Sequence, residues 1–396
     1  MLTDDFETGL AKLHALAAER VVALMCAEAV PWRCHRSLVA DAVTARGAHV
    51  EHITSAKHSA PHRMTAFAVV TRTRVTYPGE DPAGVPLAAR APFHLEATVR
   101  VLQRRPTNLV DVWDQERYLR VLTTADGLAL VEVTNRGTID APDVRLTILR
   151  GNLSTASRAT LGATMRKMFG LDVDPEPLQA LTERERRLRP TALALRGMRP
   201  PRFAELFEAF TNVVPFQQVS LDAGVSIVGR LVERFGKSLE HDGRPFHAFP
   251  TAQVIAEAPL GALRDCGLSL RKAETLRQLA GAMESGEISE EQLSRMGSKE
   301  ATQFLAAQKG IGAWSASLVL LRGLGRLDVF PPGDVGVARG LGRLMRLEPG
   351  PSMDRLIHRF GDQRGYLYFC SLGGSLLAKD LIHAAPLQPR AVAIGN

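Results

Sequence analysis

In this 396-residue sequence the residues best placed to do chemistry are an aspartate after a chain break and, upstream, a tryptophan behind a glycine turn. Asp334 follows Pro331-Pro332-Gly333, a run that cannot continue a helix, and opens a helical pattern over Val335 to Leu347. Trp314 stands 20 residues earlier, one residue after Lys309-Gly310-Ile311-Gly312. That Gly-x-Gly stretch reads as a tight hairpin, because glycine accepts the positive φ that other residues resist. The N–H groups of Gly310, Gly312 and their neighbours then lie at the start of a helix, where partial positive charge suits a phosphate. Asp334 has two compatible readings. It is a helix N-cap, worth ~0.5–2 kcal/mol, or a carboxylate that stabilises positive charge developing on a substrate.

A second cluster lies in CAEAVPWRCHR: Cys26, Glu28, Cys34, His35 and Arg36. A thiol at a helix start beside His35 and Arg36 suits a low-pKa thiolate or an anion site. Cys26, Cys34, His35 and one of His52, His58 or His62 could hold zinc, but no pair has the usual C-x₂₋₄-C spacing. The structural reading, with buried cysteines and Arg36 paired to Glu28, comes first, the anion site second and zinc third.

The elements that must carry these residues follow from periodicity. Arg20 to Met25 reads as a buried strand, Ser37 to Ala45 as a helix and Val50 to Ile53 as a strand, so residues 1–80 suggest an α/β fragment. Tyr77 to Gly84 has linker composition. Leu95 to Leu102 reads as a helix. Trp113–Leu122, Leu128–Val133 and Val144–Leu149 alternate like strands of an antiparallel sheet over residues 92–155. Residues 156–396 read as almost wholly helical, with segments at Ala159–Phe169, Glu176–Leu181, Phe203–Thr211, Leu221–Phe235, Ala252–Ala258, Arg271–Met283 and Glu290–Met296, and a loop at Gly243–Phe249. Pro215 should break the chain and expose a loop at Gln217-Gln218. The fold class is α+β and multidomain.

Composition sets bounds. Hydrophobic content of 45% and charged content of 23% are ordinary for a globular chain, and no run of 18 apolar residues exists to span a membrane. The N-terminus MLTDDFETGL lacks a signal-peptide layout, so a cytoplasmic location is expected. The net charge of +7 is compatible with a polyanionic partner.

The residues KGIGAWSA and DVFPPGDVGVAR resemble the signature of the helix-hairpin-helix DNA glycosylases, most of all the AlkA-type 3-methyladenine glycosylases. Gln217-Gln218-Val219-Ser220 with its helix ending Arg234-Phe235-Gly236, Leu171-Asp172-x-Asp174 and Arg364…Tyr366 resemble other segments of that family. The resemblance spans residues 92 to 385. It implies a helical glycosylase core with the hairpin at 299–323, braced by the small sheet domain. Such enzymes flip a nucleotide out of duplex DNA. Asp334 would then be the catalytic carboxylate and Asp328 structural. Gln217 and Gln218 would form the wedge that fills the gap, Gln218 at its tip. Lys309 and the amides of Gly310, Gly312 and Trp314 would hold the DNA backbone. Trp314, Leu318, Val335 and Leu372 would line the base pocket, which is more aliphatic than in relatives with further aromatics.

No lysine lies between Ala313 and Leu327, where bifunctional relatives place a Schiff-base lysine, so the resemblance implies a monofunctional hydrolase acting on alkylated purines. It implies no required cofactor and no iron–sulfur cluster, since only Cys370 lies beyond the hairpin. A structural Na+ or K+ at the main-chain oxygens of Ala306, Gln308 and Ile311 is implied too. The expected partner is double-stranded DNA with alkylated bases, bound by a monomer. CAEAVPWRCHR resembles part of a bacterial family of unassigned function marked by Cys–His–Arg. Two rivals stand beside this reading: a non-catalytic DNA-binding protein built on the hairpin, and a protein whose main activity lies in the Cys–His–Arg module.

Overall fold

The computed structural model describes residues 4–25, 35–55, 57–65, 68–71, 73–76, 84–176, 180, 185–347 and 350–386. The chain divides into two compact units, residues 1–84 with 147–152, and residues 85–146 with 153–396. Residues 85–146, which hold most of the sheet segment, are grouped with the helical region from Leu153 onward.

In the first unit, α1 (Asp4–Glu19) packs on α2 (His35–Thr44) around Leu10, Ala42 and Val43. Two antiparallel hairpins follow, β1 (Glu51–Ser55) with β2 (His58–Pro61) and β3 (Val69–Thr71) with β4 (Arg74–Thr76). The strand–helix–strand order expected from sequence is not formed. Arg20–Met25 carries no regular structure, with Val21 fully exposed and Met25 93% exposed. A strand needs a partner edge for its backbone groups, and here each described strand pairs with its own sequence neighbour. Cys26, Glu28 and Cys34 lie outside the described residues, and so do the Arg36–Glu28 pair and the four-ligand zinc set. His35 opens α2. Among the described residues no group of three or more His, Cys, Asp or Glu is placed to hold a metal.

What the unit does hold is a buried relay. The Asp41 carboxylate accepts from His62 Nε2 at 2.7 Å, Thr65 N at 2.9 Å and Thr65 Oγ1 at 2.6 Å. His62 Nδ1 meets His52 Nε2 at 2.8 Å. Burial, then the neighbouring His62 and Arg36, lower the pKa of His52 against the opposing pull of Asp41. The fold therefore favours neutral His52, and between the lowered value and the ordinary 6.5 the unfolded chain binds more protons than the folded one. Stability from this group is present above 6.5 and declines as pH falls through it toward the folded value. Amide exchange across residues 36–65 of the full chain should show protection falling in that window, and His52→Gln should flatten the decline. A flat wild-type profile would refute the linkage.

A five-stranded sheet has the order β5-β9-β8-β7-β6. Its strands are β5 (Val85–Pro86), β6 (Val112–Asp114), β7 (Arg117–Thr124), β8 (Gly127–Asn135) and β9 (Val144–Arg150). β7 runs antiparallel to β6 and β8, and β5 antiparallel to β9. The single strand expected over Trp113–Leu122 is broken by Gln115 and Glu116, whose φ of 47° and 63° make a two-residue hairpin. α3 (Leu95–Gln103) is capped by His94, whose Nδ1 accepts from Ala97 N.

Helices then follow: α4 (Thr155–Met168), α5 (Arg189–Ala194), α6 (Leu206–Thr211) and α7 (Leu221–Phe235). α6 starts three residues later than expected, and Glu176–Leu181 lies largely outside the described residues. The Gly243–Phe249 segment is not a loop. It belongs to a hairpin, β10 (Ser238–His241) with β11 (Arg244–His247), turning on Asp242-Gly243 at φ 51° and 70°. α8 (Ala252–Glu257), α9 (Leu260–Asp265), α10 (Leu270–Glu284) and α11 (Glu290–Arg295) complete this part.

Sheet and helices are joined by buried charge. Arg120 of β7 is 1% exposed and donates to Asp111 Oδ1 at 2.8 Å and to Glu208 Oε2 of α6 at 2.5 Å, while Tyr118 OH donates to Asp111 at 2.7 Å. Removing one partner of such a network leaves the others as uncompensated buried charge. Arg120→Leu should therefore cost about 3–5 kcal/mol, read as a lower midpoint in denaturant unfolding; an unchanged midpoint would mean that Asp111 and Glu208 find other donors.

Candidate active site

The hairpin is built from α12 (Ser298–Ala306) and α13 (Ala313–Val319), and α13 continues as a π turn over Leu320–Leu324 that ends at Gly325 with φ 74°. Ser315 to Leu324 is buried without interruption, as an all-round apolar helix requires. Gly323 lets Ala209 of α6 approach, since a Cβ there would lie 2.9 Å from the Ala209 Cβ.

The two hairpin glycines do different work. Gly310 has φ +84°, and a Cβ on it would overlap the Thr275 hydroxyl of α10. Gly312 has φ −99° with open space around it and is the N-cap of α13 with no side-chain bond. The positive-φ expectation therefore holds for Gly310 alone; Gly312 keeps the start of the helix bare. The first N–H groups of an α-helix have no intrahelical acceptor, so a ligand can approach them there. Lys309 is exposed beside this turn, its Nζ 3.8 Å from Glu274.

Asp334 opens α14 (Val335–Met345) as its N-cap, Oδ1 accepting from Val337 N at 2.9 Å. Its other oxygen, Oδ2, accepts from Trp314 Nε1 at 2.9 Å. The 20-residue spacing thus becomes a direct contact, and the carboxylate is oriented by one donor on each oxygen.

Gln217 and Gln218 follow a short 3₁₀ turn, Val214–Phe216, ahead of α7. The two part company. Gln217 turns inward, its Nε2 donating to Gly310 O at 2.9 Å and to Ser315 Oγ at 3.0 Å. Gln218 is exposed and left-handed at φ 56°. Lys272 of α10 donates to Pro215 O at 3.0 Å and Gln217 O at 2.6 Å. Nothing in sequence periodicity singles out Lys272, Thr275 or Ser315.

Two clefts meet at Asp334. One, of about 770 Å³, is lined by Gln217, Gln218, Lys272, Gly310, Gly312, Trp314 and Val335 among others. The other, of about 740 Å³, lies toward Asp328, Phe330, Ala338, Leu341, His358 and Arg364. Val335 is 58% exposed at the first cleft. Leu318 is 4% exposed and Leu372, on α15 (Gly365–Leu377), is half-buried; neither lines either cleft. One helical turn beyond Trp314, Leu318 packs into the core instead. Asp328 accepts from Ser298 Oγ at 2.9 Å, tying the loop to α12. Tyr366 OH reaches Asp174 O at 3.5 Å, and Arg364 Nε donates to Gly361 O at 2.7 Å.

Residues 212–361, which hold the hairpin, Asp334 and the Gln217-Gln218 loop, match the model of the HhH-GPD superfamily base excision DNA repair protein. The chain is 31% identical over 204 residues to DNA-3-methyladenine glycosylase 2 of Escherichia coli, covering 50% of this chain and 69% of that one. The chain belongs to the HhH-GPD superfamily. Residues 85–205 match the AlkA N-terminal domain and residues 1–43 the Domain of unknown function DUF488. DNA-3-methyladenine glycosylase of Bacillus subtilis is 32% identical over 193 residues, covering 49% of this chain and 64% of that enzyme's length. The solved 3-methyladenine DNA-glycosylase from Archaeoglobus fulgidus shares the fold at a TM-score of 0.62, with 27% identity, covering 74% of this chain and 99% of that one.

The contrast between the glycines is testable in this superfamily member. Gly310→Ala should cost about 1–3 kcal/mol in denaturant unfolding, from the strained backbone and the clash with Thr275. Gly312→Ala should cost at most about 1 kcal/mol, the difference between glycine and alanine as a cap. Equal losses would mean that the turn does not depend on a left-handed residue at 310.

Proposed function

We propose that this protein is a monofunctional DNA glycosylase that hydrolyses the N-glycosidic bond of alkylated purines, of the 3-methyladenine kind, in duplex DNA. The observation that carries this reading is the Asp334 carboxylate held by Trp314 Nε1 beside the hairpin's bare helix start. Superfamily membership supports it.

In this reading the Gly312–Trp314 amides and Lys309 take a DNA phosphate, contacts that position the duplex without reading its sequence. Gln218 enters the gap left by the extruded nucleotide. As the glycosidic bond breaks, its electron pair leaves with the base and positive charge develops on the sugar, as in other oxocarbenium-like reactions. Asp334 stabilises that charge and orients the water, whose oxygen bonds to the sugar carbon while its proton passes to the carboxylate. An alkylated base carries positive charge before cleavage and leaves readily. The Trp314 ring face and Val335 form a pocket wall suited to a cationic base. With no lysine between Ala313 and Leu327, no Schiff base forms and the backbone is not cut.

In this reading the main-chain oxygens of Ala306, Gln308 and Ile311 hold a monovalent cation. Gln308 O takes the Ile311 N–H at 3.0 Å, while Ala306 O and Ile311 O receive no main-chain hydrogen bond among the described residues. Na+ or K+ there would stiffen the hairpin and take no part in the reaction. Among the described residues no helix is long and apolar enough to cross a membrane. A monomer acting on DNA in the cytoplasm is the simplest setting.

Asp334→Asn keeps a capping oxygen, and asparagine caps as well as aspartate. With its single oxygen on Val337 N the asparagine offers no acceptor to Trp314 Nε1, so the melting temperature should drop slightly while the fold and duplex binding are kept, and base release from methylated duplex DNA falls by at least ~10²-fold, as expected when a charge-stabilising group is lost. Undiminished release would reduce Asp334 to a cap and favour a non-catalytic or differently catalysed protein.

A further inference from the structure

We infer that Lys272 is a positioning residue that sets Gln218 as the inserted side chain, coupling the grip on the DNA backbone to extrusion of the base. The inference rests on the glycosylase reading above, and it concerns a residue on α10 that the resemblance does not mark.

The loop between the 3₁₀ turn and α7 has few internal restraints. Ahead of it, Phe216 lies over Gly224, where a Cβ would collide with the ring. The Arg104 guanidinium stands 4.9 Å from the centroid of that ring. Beyond Phe216 two side chains hold the loop. The Lys272 ammonium bridges the carbonyls of Pro215 and Gln217, at 3.0 Å and 2.6 Å. These are charge-assisted bonds, stronger than neutral ones. The Gln217 amide then ties the loop to the hairpin itself, through Gly310 O and Ser315 Oγ.

Gln218, between this double latch and the start of α7, is forced to φ 56°, a conformation that a free glutamine avoids. The latch thus spends part of its strength on aiming one side chain into the cleft that also holds Trp314 and Asp334. Burial lowers the Lys272 pKa, consistent with an ammonium whose neighbours are carbonyls rather than carboxylates. Thr275, one turn further along α10, fits into the space left by Gly310. One helix therefore touches both the wedge loop and the hairpin turn, so a displacement of either reaches the other.

The test uses the full-length protein, a methylated duplex for base release and a duplex with 2-aminopurine beside the lesion for extrusion. Lys272→Met keeps the aliphatic stem, and since Lys272 is half-buried with no carboxylate partner, its melting temperature should stay near wild type. Single-turnover base release and the fluorescence rise on extrusion should both fall by about 10–100-fold, the scale of a misplaced catalytic contact. Binding to a duplex with a stable abasic-site analogue should change far less. Lys272→Arg should restore most of both signals. The decisive readout is the double variant: Lys272→Met in a Gln218→Ala background should add nothing, because coupled residues are non-additive. Additive losses, or Lys272→Met matching wild type in extrusion, would overturn the inference while leaving the glycosylase reading intact. A wild-type protein that releases no base but still extrudes 2-aminopurine through Lys272 would instead defeat the reading and spare the latch.

Discussion

The site depends on one shared carboxylate. Asp334 gives one oxygen to Val337 N and the other to Trp314 Nε1, so a single side chain fixes the start of α14 and the rotamer of the hairpin tryptophan. A helix N-cap is worth on the order of 1 kcal/mol, a modest sum for one residue. Its larger effect is geometric. Because Oδ1 is tied to the backbone of α14, the carboxylate cannot swing away, and Oδ2 faces wherever α13 presents its indole. The stabilising reading and the catalytic reading of Asp334 are the same interaction seen from two sides.

For that contact to hold, α13 must not move, and the core around it is built accordingly. Its continuation through the π turn buries Arg322 completely, with the guanidinium 4.6 Å from the Phe203 ring and burial lowering its pKa to about 10. Gly323 seats against Ala209 of α6, and α6 carries Glu208, the partner of Arg120 in the sheet. The sheet is therefore linked to the hairpin by the buried Arg120 and a short helix. This explains why residues 85–146 share a compact unit with the helices. A buried charge network is a poor source of net stability. As a register device it makes sense here, because a shift of α6 along the sheet would strand Glu208.

Much of this was legible in the residues. The glycine turn, the helix break at Pro331-Pro332-Gly333 and the isolated Asp334 carry local rules that tertiary structure had no reason to override. The Gln217-Gln218 loop followed from Pro215 in the same way. What failed did so for identifiable reasons. Arg20–Met25 is apolar enough for a strand, but apolar composition does not supply a pairing edge, and Val21 ends in solvent. Gln115-Glu116 and Asp242-Gly243 both turn through left-handed residues. The second pair is a recognised hairpin signal; the first has no such signature. Leu318 and Leu372 were assigned by position to a pocket that side-chain direction denies them. Direction on a helix depends on how it is rotated in the core, which spacing alone leaves open.

Lys272 and Gln217 show the same limit from the other side. Both act through main-chain carbonyls, which every residue possesses, so no sequence pattern marks their targets. A side chain that recognises backbone can appear at any helix position facing the right loop. Only the packing of α10 against the hairpin decides that position 272 faces Pro215 and Gln217 while position 275 meets Gly310. Positions 272 and 275 are separated by close to one full helical turn, so both contacts fall on the same face. The Gln217-Gln218 loop, the hairpin turn and Asp334 thus belong to one connected arrangement. Its parts were chemically visible in the chain, but its coupling arises only from the fold.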